Sequence, residues 1–309
     1  MGAEIGRRMN LPWYLLLPLV AAIGYAIASM LLKKALVEGA HPMACFHINN
    51  WTSVSVFLPL ALFETQPVAW ELWYIPAGLG VLFFTGGWFT FIAMQRGDVS
   101  LVTPVLGSKV VFVALGASLI IAGSMKPLMW VAAIITTGGI FMMSATDFKT
   151  PKGARLAGPV VMALVSAAFF ALADVLLQRW APTFGPKMFL AIMSGTTGAL
   201  SVFAMTLLPK RPPIPWNRAT QWSLGGSALI AGQSMLMGIS LAFFNDAIGV
   251  NVVYATRGMW SLAVVALLGP LLGNRERHES GKAYGIRIVA ALLLMAGVIC
   301  AVISRMHAQ

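Results

Sequence analysis

Residues 157–180 read AGPVVMALVSAAFFALADVLLQRW, and this stretch decides the fold class. It is apolar over about 20 residues, the length at which a helix crosses the ~30 Å hydrocarbon layer of a bilayer. Inside that layer every backbone N–H and C=O must be satisfied within the protein, which leaves helices or closed barrels. Barrel strands would be about half as long and would alternate in polarity. The stretch therefore predicts a transmembrane helix.

Comparable apolar runs recur along the whole chain. Only 10% of the 309 residues are charged and 59% are apolar, whereas a soluble protein carries about 25% charged residues. We predict an all-α, multi-pass integral membrane protein, and we expect it in the plasma (inner) membrane of a prokaryote. Its ten predicted spans lie near residues 12–38, 43–63, 72–95, 99–122, 127–146, 157–180, 186–208, 219–244, 248–271 and 282–304.

The two halves of the chain resemble each other weakly. Residues 26–33 (AIASMLLK) match residues 171–178 (ALADVLLQ), and residues 85–89 (TGGWF) match residues 231–235 (AGQSM). Five helices per half would place the halves in the membrane in opposite orientations, as in the inverted repeats of secondary transporters, whose substrate sites lie near the midplane. We therefore predict a first repeat over residues 1–146, a linker over 147–156 and a second repeat over 157–309.

Two basic residues fall deep inside predicted spans. Lys109 lies about ten residues into the fourth span, or roughly 15 Å along the helix, and Arg257 lies about as deep in the ninth. A charge facing lipid at that depth costs a few kcal/mol or more, so both side chains should face the protein interior or a watery cavity. Along the ninth span, helical spacing places Tyr254, Arg257 and Trp260 on one face. An aromatic ring there could bind the guanidinium or close over a ligand.

Asp174 is the only carboxylate predicted to lie well inside a span. It could pair with Arg257 or Lys109 and lock two helices together, or it could balance charge or carry a proton for transport. In either case two bases and one acid leave a positive excess, which an anionic ligand would neutralise.

Other polar and aromatic residues are weaker candidates. Gln233 and Trp88 lie in the middle of the eighth and third spans, where they could line a cavity or simply fill the core. No arrangement of His, Cys or carboxylate residues matches a common metal-site pattern, so we expect neither a metal nor a cofactor. The net charge of +11 comes mostly from loop residues, which set orientation and do not imply nucleic-acid binding. Counted by the positive-inside rule, they favour both termini outside.

The segment joining the third and fourth spans carries the clearest family signal. Residues 93–104 read AMQRGDVSLVTP, and the helix that follows ends near Gly123. Their counterpart is FNDAIGVNVV at residues 244–253, which continues to Gly269. These segments and the overall architecture resemble the drug/metabolite transporter superfamily with two EamA-type repeats. The resemblance implies a ten-helix transporter that works by alternating access.

The chain departs from the pattern of that superfamily in two places. Many members have Gly-Glu after the fourth helix, where this chain has Gly123-Ser124. Many also have prolines near the middle of helices four and nine, where this chain has Lys109 and Arg257. The basic residues are more similar to the organophosphate and nucleotide-sugar branch.

Taken together, these patterns favour a secondary transporter of a small organic metabolite, preferably anionic. We predict a substrate-binding site formed by seven residues: Lys109, Arg257, Asp174, Trp88, Gln233, Tyr254 and Trp260. The alternative substrate is a neutral or zwitterionic amino-acid-like metabolite. An intramembrane enzyme would need paired carboxylates or a Ser-His set in the spans, and this chain has neither. A primary pump would need a Walker A motif, which the chain also lacks. The inverted repeat argues against a channel, because a channel does not require one. The expected partners are the substrate and the lipid bilayer, with a homodimer left open.

Overall fold

The computed structural model describes residues 12–96, 105–121, 126–145, 157–207, 211–268 and 281–306, which contain helices and no strand. The predicted linker and Gly123-Ser124 lie outside these residues, as does the second part of the AMQRGDVSLVTP motif. The α-helices are α1 (Leu16–Val37), α2 (Pro42–Phe57), α3 (Tyr74–Arg96), α4 (Lys109–Ile120), α5 (Pro127–Ala145), α6 (Ala157–Phe184), α7 (Pro186–Leu207), α8 (Arg218–Phe244), α9 (Ala247–Tyr254), α10 (Arg257–Leu268) and α11 (Gly281–Met306).

Within the part of the chain that the structure describes, five helices are long and apolar enough to cross a membrane, by length and composition. They cover Trp13–Val37, Trp70–Ala93, Gly158–Phe184, Pro186–Leu207 and Arg218–Phe244. Three further apolar helices are shorter, at Val105–Ile120, Pro127–Met142 and Ile288–Ser304. The fold is thus all-helical and suited to a multi-pass membrane protein, as the sequence predicts.

Helices of the first half pack against helices of the second half, and most of these contacts come in matching pairs. Helix α1 packs on α8, and α3 packs on α6; likewise α2 packs on α8, and α3 packs on α7. Helix α4 contacts α6, while α9 and α10 contact α1. Two further contacts join counterparts directly, α2 with α7 and α5 with α11. The counterparts of α1, α2, α3, α4 and α5 are α6, α7, α8, α9 with α10, and α11. If each helix is replaced by its counterpart, the contacts between counterparts are unchanged and each of the others becomes another contact of the same set.

The second predicted span is an α-helix for only part of its length. Helix α2 ends at Phe57, and a 3-10 helix continues over Leu58–Phe63. Pro59 explains the change, because proline has no backbone N–H and its ring clashes with the carbonyl four residues earlier.

The 3-10 helix leads to Glu64, which joins the two halves of the chain. One carboxylate oxygen of Glu64 accepts from the backbone N–H groups of Thr65 (2.9 Å) and Gln66 (3.0 Å). The other accepts from Lys187 (2.8 Å) and Met188 (3.0 Å) in the first turn of α7. Burial alone would raise the pKa of Glu64, but these four donors outweigh it and hold the pKa below its usual range.

The turn between α6 and α7 permits this contact. Gly185 has a φ of +110°, a backbone conformation that side chains other than glycine rarely adopt. A Cβ at this position would also lie 3.3 Å from a carboxylate oxygen of Glu64. Glycine therefore lets the first turn of α7 reach Glu64.

Candidate functional site

The ninth predicted span, 248–271, is not one helix, which corrects the sequence prediction. Helix α9 ends at Tyr254, a turn follows at Ala255 and Thr256, and α10 begins at Arg257. The hydroxyl of Thr256 donates to the carbonyl of Val253 at 2.7 Å, and its backbone N–H bonds to the same carbonyl at 3.1 Å. Bonds to the third residue back replace the α-helical pattern here, so the helix is interrupted.

The fourth span contains the same interruption at the matching position. The hydroxyl of Ser108 donates to the carbonyl of Val105 at 2.6 Å, and its backbone N–H bonds to that carbonyl at 3.1 Å. Helix α4 then begins at Lys109. Each deep basic residue thus starts a helix directly after a hydroxyl residue that bonds backward. Discontinuous helices at corresponding positions of two halves are typical of transporter binding sites.

Lys109 forms a buried ion pair. Its Nζ lies 2.7 Å from Oδ2 of Asp174 on α6, and the two side chains are 17% and 5% exposed. The same Oδ2 accepts from Nδ2 of Asn251 on α9 at 2.7 Å. Lys109 Nζ also lies 5.9 Å from the ring centre of Phe170. We call Lys109, Phe170, Asp174 and Asn251 the Lys109 corner. Here an internal carboxylate neutralises the base.

Arg257 has aromatic neighbours instead. Its guanidinium carbon lies 4.7 Å from the ring centre of Tyr25 on α1 and 4.7 Å from that of Tyr254. The two rings themselves meet edge to face at 6.1 Å. Among the described residues, no carboxylate oxygen lies within 4.0 Å of Arg257. We call Tyr25, Tyr254 and Arg257 the Arg257 corner, where no described carboxylate contacts the base directly and the Asp174 carboxylate acts on it only over a longer distance.

The repeat alignment relates the two corners. Residues 26–33 match residues 171–178, so Tyr25 corresponds to Phe170 and Ser29 corresponds to Asp174. Both bases therefore lie near an aromatic ring at the same repeat position. The carboxylate position, however, holds Ser29 in the first half, and its hydroxyl donates to the carbonyl of Ala26 at 2.8 Å.

Two polar atoms near the Arg257 corner are buried and have no hydrogen-bond partner. Trp260 lies one turn along α10 and packs against a cluster that includes Ala26 of α1, with its Nε1 unsatisfied. Gln233 on α8 is 8% exposed, and its Oε1 is unsatisfied. A Cβ on Gly24 would lie 3.6 Å from Cβ of Gln233, which places that side chain beside the turn of α1 that carries Tyr25. These atoms offer one free donor and one free acceptor.

Asp246 is a second buried carboxylate among the described residues, and it lies between the predicted eighth and ninth spans rather than inside one. It is 1% exposed and begins α9, accepting from the backbone N–H of Gly249 at 2.9 Å and from the hydroxyl of Tyr14 at 2.7 Å. Eleven residues separate it from Arg257, about 16 Å along a helix. Its hydrogen bonds hold it at the start of α9, so it does not take the place of a counter-ion beside Arg257.

Two neutral side chains, Asn251 and Gln178, complete the Lys109 corner and were not predicted as site residues. Gln178 accepts from the backbone N–H of Ala247 at 2.7 Å and so secures the first turn of α9. A polar residue one turn after Asp174 on the same face of α6 was the available signal. Together they tie α6 to α9 within the second half, and Lys109 joins this pair of helices from the first half.

Trp88 lies in a different neighbourhood. Its ring contacts are with Phe84 at 6.0 Å and Phe46 at 6.2 Å, in an aromatic cluster between α2 and α3. The structure therefore brings Arg257, Tyr254, Trp260 and Gln233 into one region of α1, α8, α9 and α10. It brings Lys109 and Asp174 together in a second region.

Comparisons with known proteins agree with this architecture. No curated protein matches the chain. One solved crystal structure matches 93% of this chain and 96% of its own, with a TM-score of 0.68 and 16% sequence identity, and so shows the same fold. The model of the EamA-like transporter family matches residues 11–145. The first half of the chain is therefore similar to the EamA-like transporter family over residues 11–145.

Proposed function

We propose that the chain is a secondary transporter built from ten spans in two inverted repeats, over residues 1–146 and 157–309 with a linker between them. The exchanged helix contacts support this proposal, because α1 on α8 and α6 on α3 are the same contact made by opposite halves. The matched interruptions before Lys109 and Arg257 support it at the level of single hydrogen bonds. We also propose the plasma membrane of a prokaryote as the location; a homodimer stays a prediction.

The substrate is a small organic anion that binds at Arg257. The observation that carries this proposal is the guanidinium held between two tyrosine rings without a carboxylate partner among the described residues. At an effective dielectric of ~20, unit charges 4 Å apart gain about 4 kcal/mol before desolvation is subtracted. An anion would therefore be strongly preferred over a neutral analogue of the same shape.

Seven residues have different parts in this proposal. Arg257 binds the anionic group, and Nε1 of Trp260 supplies a further donor from one turn away. Tyr254 encloses the apolar body of the ligand, and Gln233 accepts from a donor on it. Lys109 and Asp174 form the paired corner that holds α4 against α6, and Asp174 is also the candidate for carrying a proton. Trp88 shapes the wall between α2 and α3.

Alternating access follows from the repeat. Because the two halves are related by exchange, a rocking of one against the other opens a central site first to one side and then to the other. The interruptions before Lys109 and Arg257 lie where two short helices can change angle without breaking a continuous hydrogen-bond ladder.

A zwitterionic substrate is the second candidate, and Gln233 is the observation that favours it. Its buried Oε1 has no partner and could accept from an ammonium or hydroxyl group. Such a substrate would present both an anionic group to Arg257 and a donor to Gln233.

A thermal-shift screen of the purified protein tests these proposals, because a ligand stabilises the state it binds. The screen should pair carboxylates and phosphate esters with their neutral amides or alcohols and include amino acids. Each compound that raises the unfolding temperature is then tested for counterflow in proteoliposomes. Saturable counterflow of anions but not of their neutral pairs supports the proposal. Non-saturable flux would indicate a channel, and chemical conversion of the compound would indicate an enzyme.

A further inference from the structure

We propose that the substrate carries a carboxylate and that this group binds beside Ser29, in the place that corresponds to the Asp174 carboxylate at the Lys109 corner. The bound substrate then completes, in the second corner, the ion pair that the first corner makes internally. This inference rests on the proposed function and specifies the chemical group and its position.

The Lys109 corner supplies the geometry. On α6, Phe170 and Asp174 are four residues apart, so their side chains lie on one face in successive turns. Lys109 reaches both, at 5.9 Å from the ring centre and 2.7 Å from the carboxylate. A base, a ring and a carboxylate one turn beyond the ring form a complete unit.

The Arg257 corner contains the same unit without its carboxylate. On α1, Tyr25 and Ser29 have the same four-residue spacing, and Arg257 lies 4.7 Å from the Tyr25 ring centre. Ser29 carries no charge, and its hydroxyl is used by the carbonyl of Ala26 within the same helix. It is half-buried. A negative group positioned here would lie next to Arg257 as Asp174 lies next to Lys109.

A carboxylate fits this place better than a phosphate. One negative charge cancels the single charge of Arg257, whereas a dianion would leave an excess charge in a poorly solvated site. The planar guanidinium can also bind both carboxylate oxygens with two parallel hydrogen bonds. The rings of Tyr25, Tyr254 and Trp260 suit an apolar body attached to the carboxylate.

The decisive variant is Ser29→Asp, with Ser29→Asn as the uncharged control of equal size. Benzoate is the probe, since it is a carboxylate on an apolar ring, and benzamide is its neutral match. We expect benzoate, but not benzamide, to raise the unfolding temperature of the parent protein. Ser29→Asn measures the loss that the size of the new side chain causes by itself. In Ser29→Asp the new carboxylate also carries the charge, so its apparent affinity for benzoate should be at least tenfold below that of Ser29→Asn.

A cysteine variant adds the charge after folding, which covers the case that Ser29→Asp does not fold. Ser29→Cys is made with the two native cysteines, Cys45 and Cys300, replaced by alanine. A negatively charged methanethiosulfonate should abolish the benzoate response, and the small neutral methyl reagent should leave most of it. Benzoate should also slow the labelling of the cysteine at position 29, and benzamide should not.

Three results would overturn the inference. They are a benzoate response in Ser29→Asp equal to the parent's, labelling by the charged reagent without effect on that response, and a parent protein that responds equally to benzoate and benzamide or to neither. The proposed function is judged separately, by counterflow of the anions found in the screen and by its loss in Arg257→Gln. Anion transport that needs Arg257 but ignores position 29 would refute only the inference.

Discussion

At the Lys109 corner the base contacts a carboxylate at 2.7 Å, whereas at the Arg257 corner two tyrosine rings at 4.7 Å take up the space around the base. Both bases follow a hydroxyl residue that interrupts a helix, and both lie near a ring at the same repeat position. The two corners thus have the same backbone arrangement, but only the Lys109 corner has a carboxylate in contact with its base. The neutralised corner is suited to holding helices together, and the unneutralised corner is suited to binding a ligand.

The largest expected effect is on the paired corner. Asp174→Asn leaves Lys109 buried without a counter-ion, which should lower the free energy of unfolding by about 3–5 kcal/mol. The double variant Lys109→Gln/Asp174→Asn removes both charges and should recover much of that loss. Thermal unfolding, with size-exclusion chromatography as the readout of folded protein, measures the stability of both variants. A stable Asp174→Asn protein that loses only pH-driven uptake would instead assign a proton-carrying role to Asp174.

The second prediction contrasts the two bases directly. Arg257→Gln should weaken the binding of an anionic substrate at least tenfold, or about 1.4 kcal/mol. Its unfolding temperature should fall less than that of Asp174→Asn, because it loses contacts with two rings but breaks no ion pair. Arg257→Lys should restore part of the binding, since lysine keeps the charge but loses the planar two-pronged contact. Lys109→Gln should mainly reduce stability. If Arg257→Gln binds the substrate as tightly as the parent, the two corners do not differ in the proposed way.

The third prediction concerns the rings. Tyr25→Leu removes a cation–π contact at 4.7 Å and should lower stability by about 1 kcal/mol. Phe170→Leu removes a longer contact, at 5.9 Å, from a base that Asp174 already holds, so its effect on the base should be smaller. Tyr25→Phe keeps the ring and serves as the control. Leu→Ala variants near each ring measure the part of the loss that comes from buried volume. If Tyr25→Leu and Phe170→Leu then lower the free energy of unfolding equally, the two rings do not differ in how they hold their bases.

The smallest effect is expected at Glu64, a carboxylate held by neutral donors rather than by a base. Its pKa is lowered in the folded protein, so its contribution to stability is full above the unfolded pKa of about 4.3 and disappears as pH falls through the folded pKa. Glu64→Gln should therefore unfold at a lower temperature than the parent at neutral pH. The difference should shrink below pH ~4, as unfolding scans at several pH values would show. A difference independent of pH would contradict this account.

Much of the fold could be predicted because the lengths of apolar runs are fixed by bilayer thickness, as in residues 157–180 and helix α6. The end of α2 was also readable, since Pro59 cannot continue a helix. The break before Arg257 was not, because Ala255 and Thr256 are ordinary helix residues. It shows in the backbone bond from the N–H of Thr256 to the carbonyl of Val253, which sequence alone does not determine.

The site was predictable in its residue types and less so in its pairings. A charge deep in a span must face the interior, which singled out Lys109 and Arg257. Which of them Asp174 would contact depends on how α4, α6 and α10 pack, and this was left open. Asp246 falls between the predicted eighth and ninth spans, and its burial involves tertiary contact with Tyr14, far away in the sequence.

The permanence of the Arg257 charge has a consequence for energetics across the membrane. An arginine side chain is not deprotonated in proteins, so on the proposed mechanism the empty site carries one positive charge and the carboxylate-loaded site carries none. Moving one elementary charge through a membrane potential is worth up to about 2.3 kcal/mol per 100 mV. The return of the empty carrier would therefore respond to voltage, while the loaded carrier would cross as an electrically neutral unit.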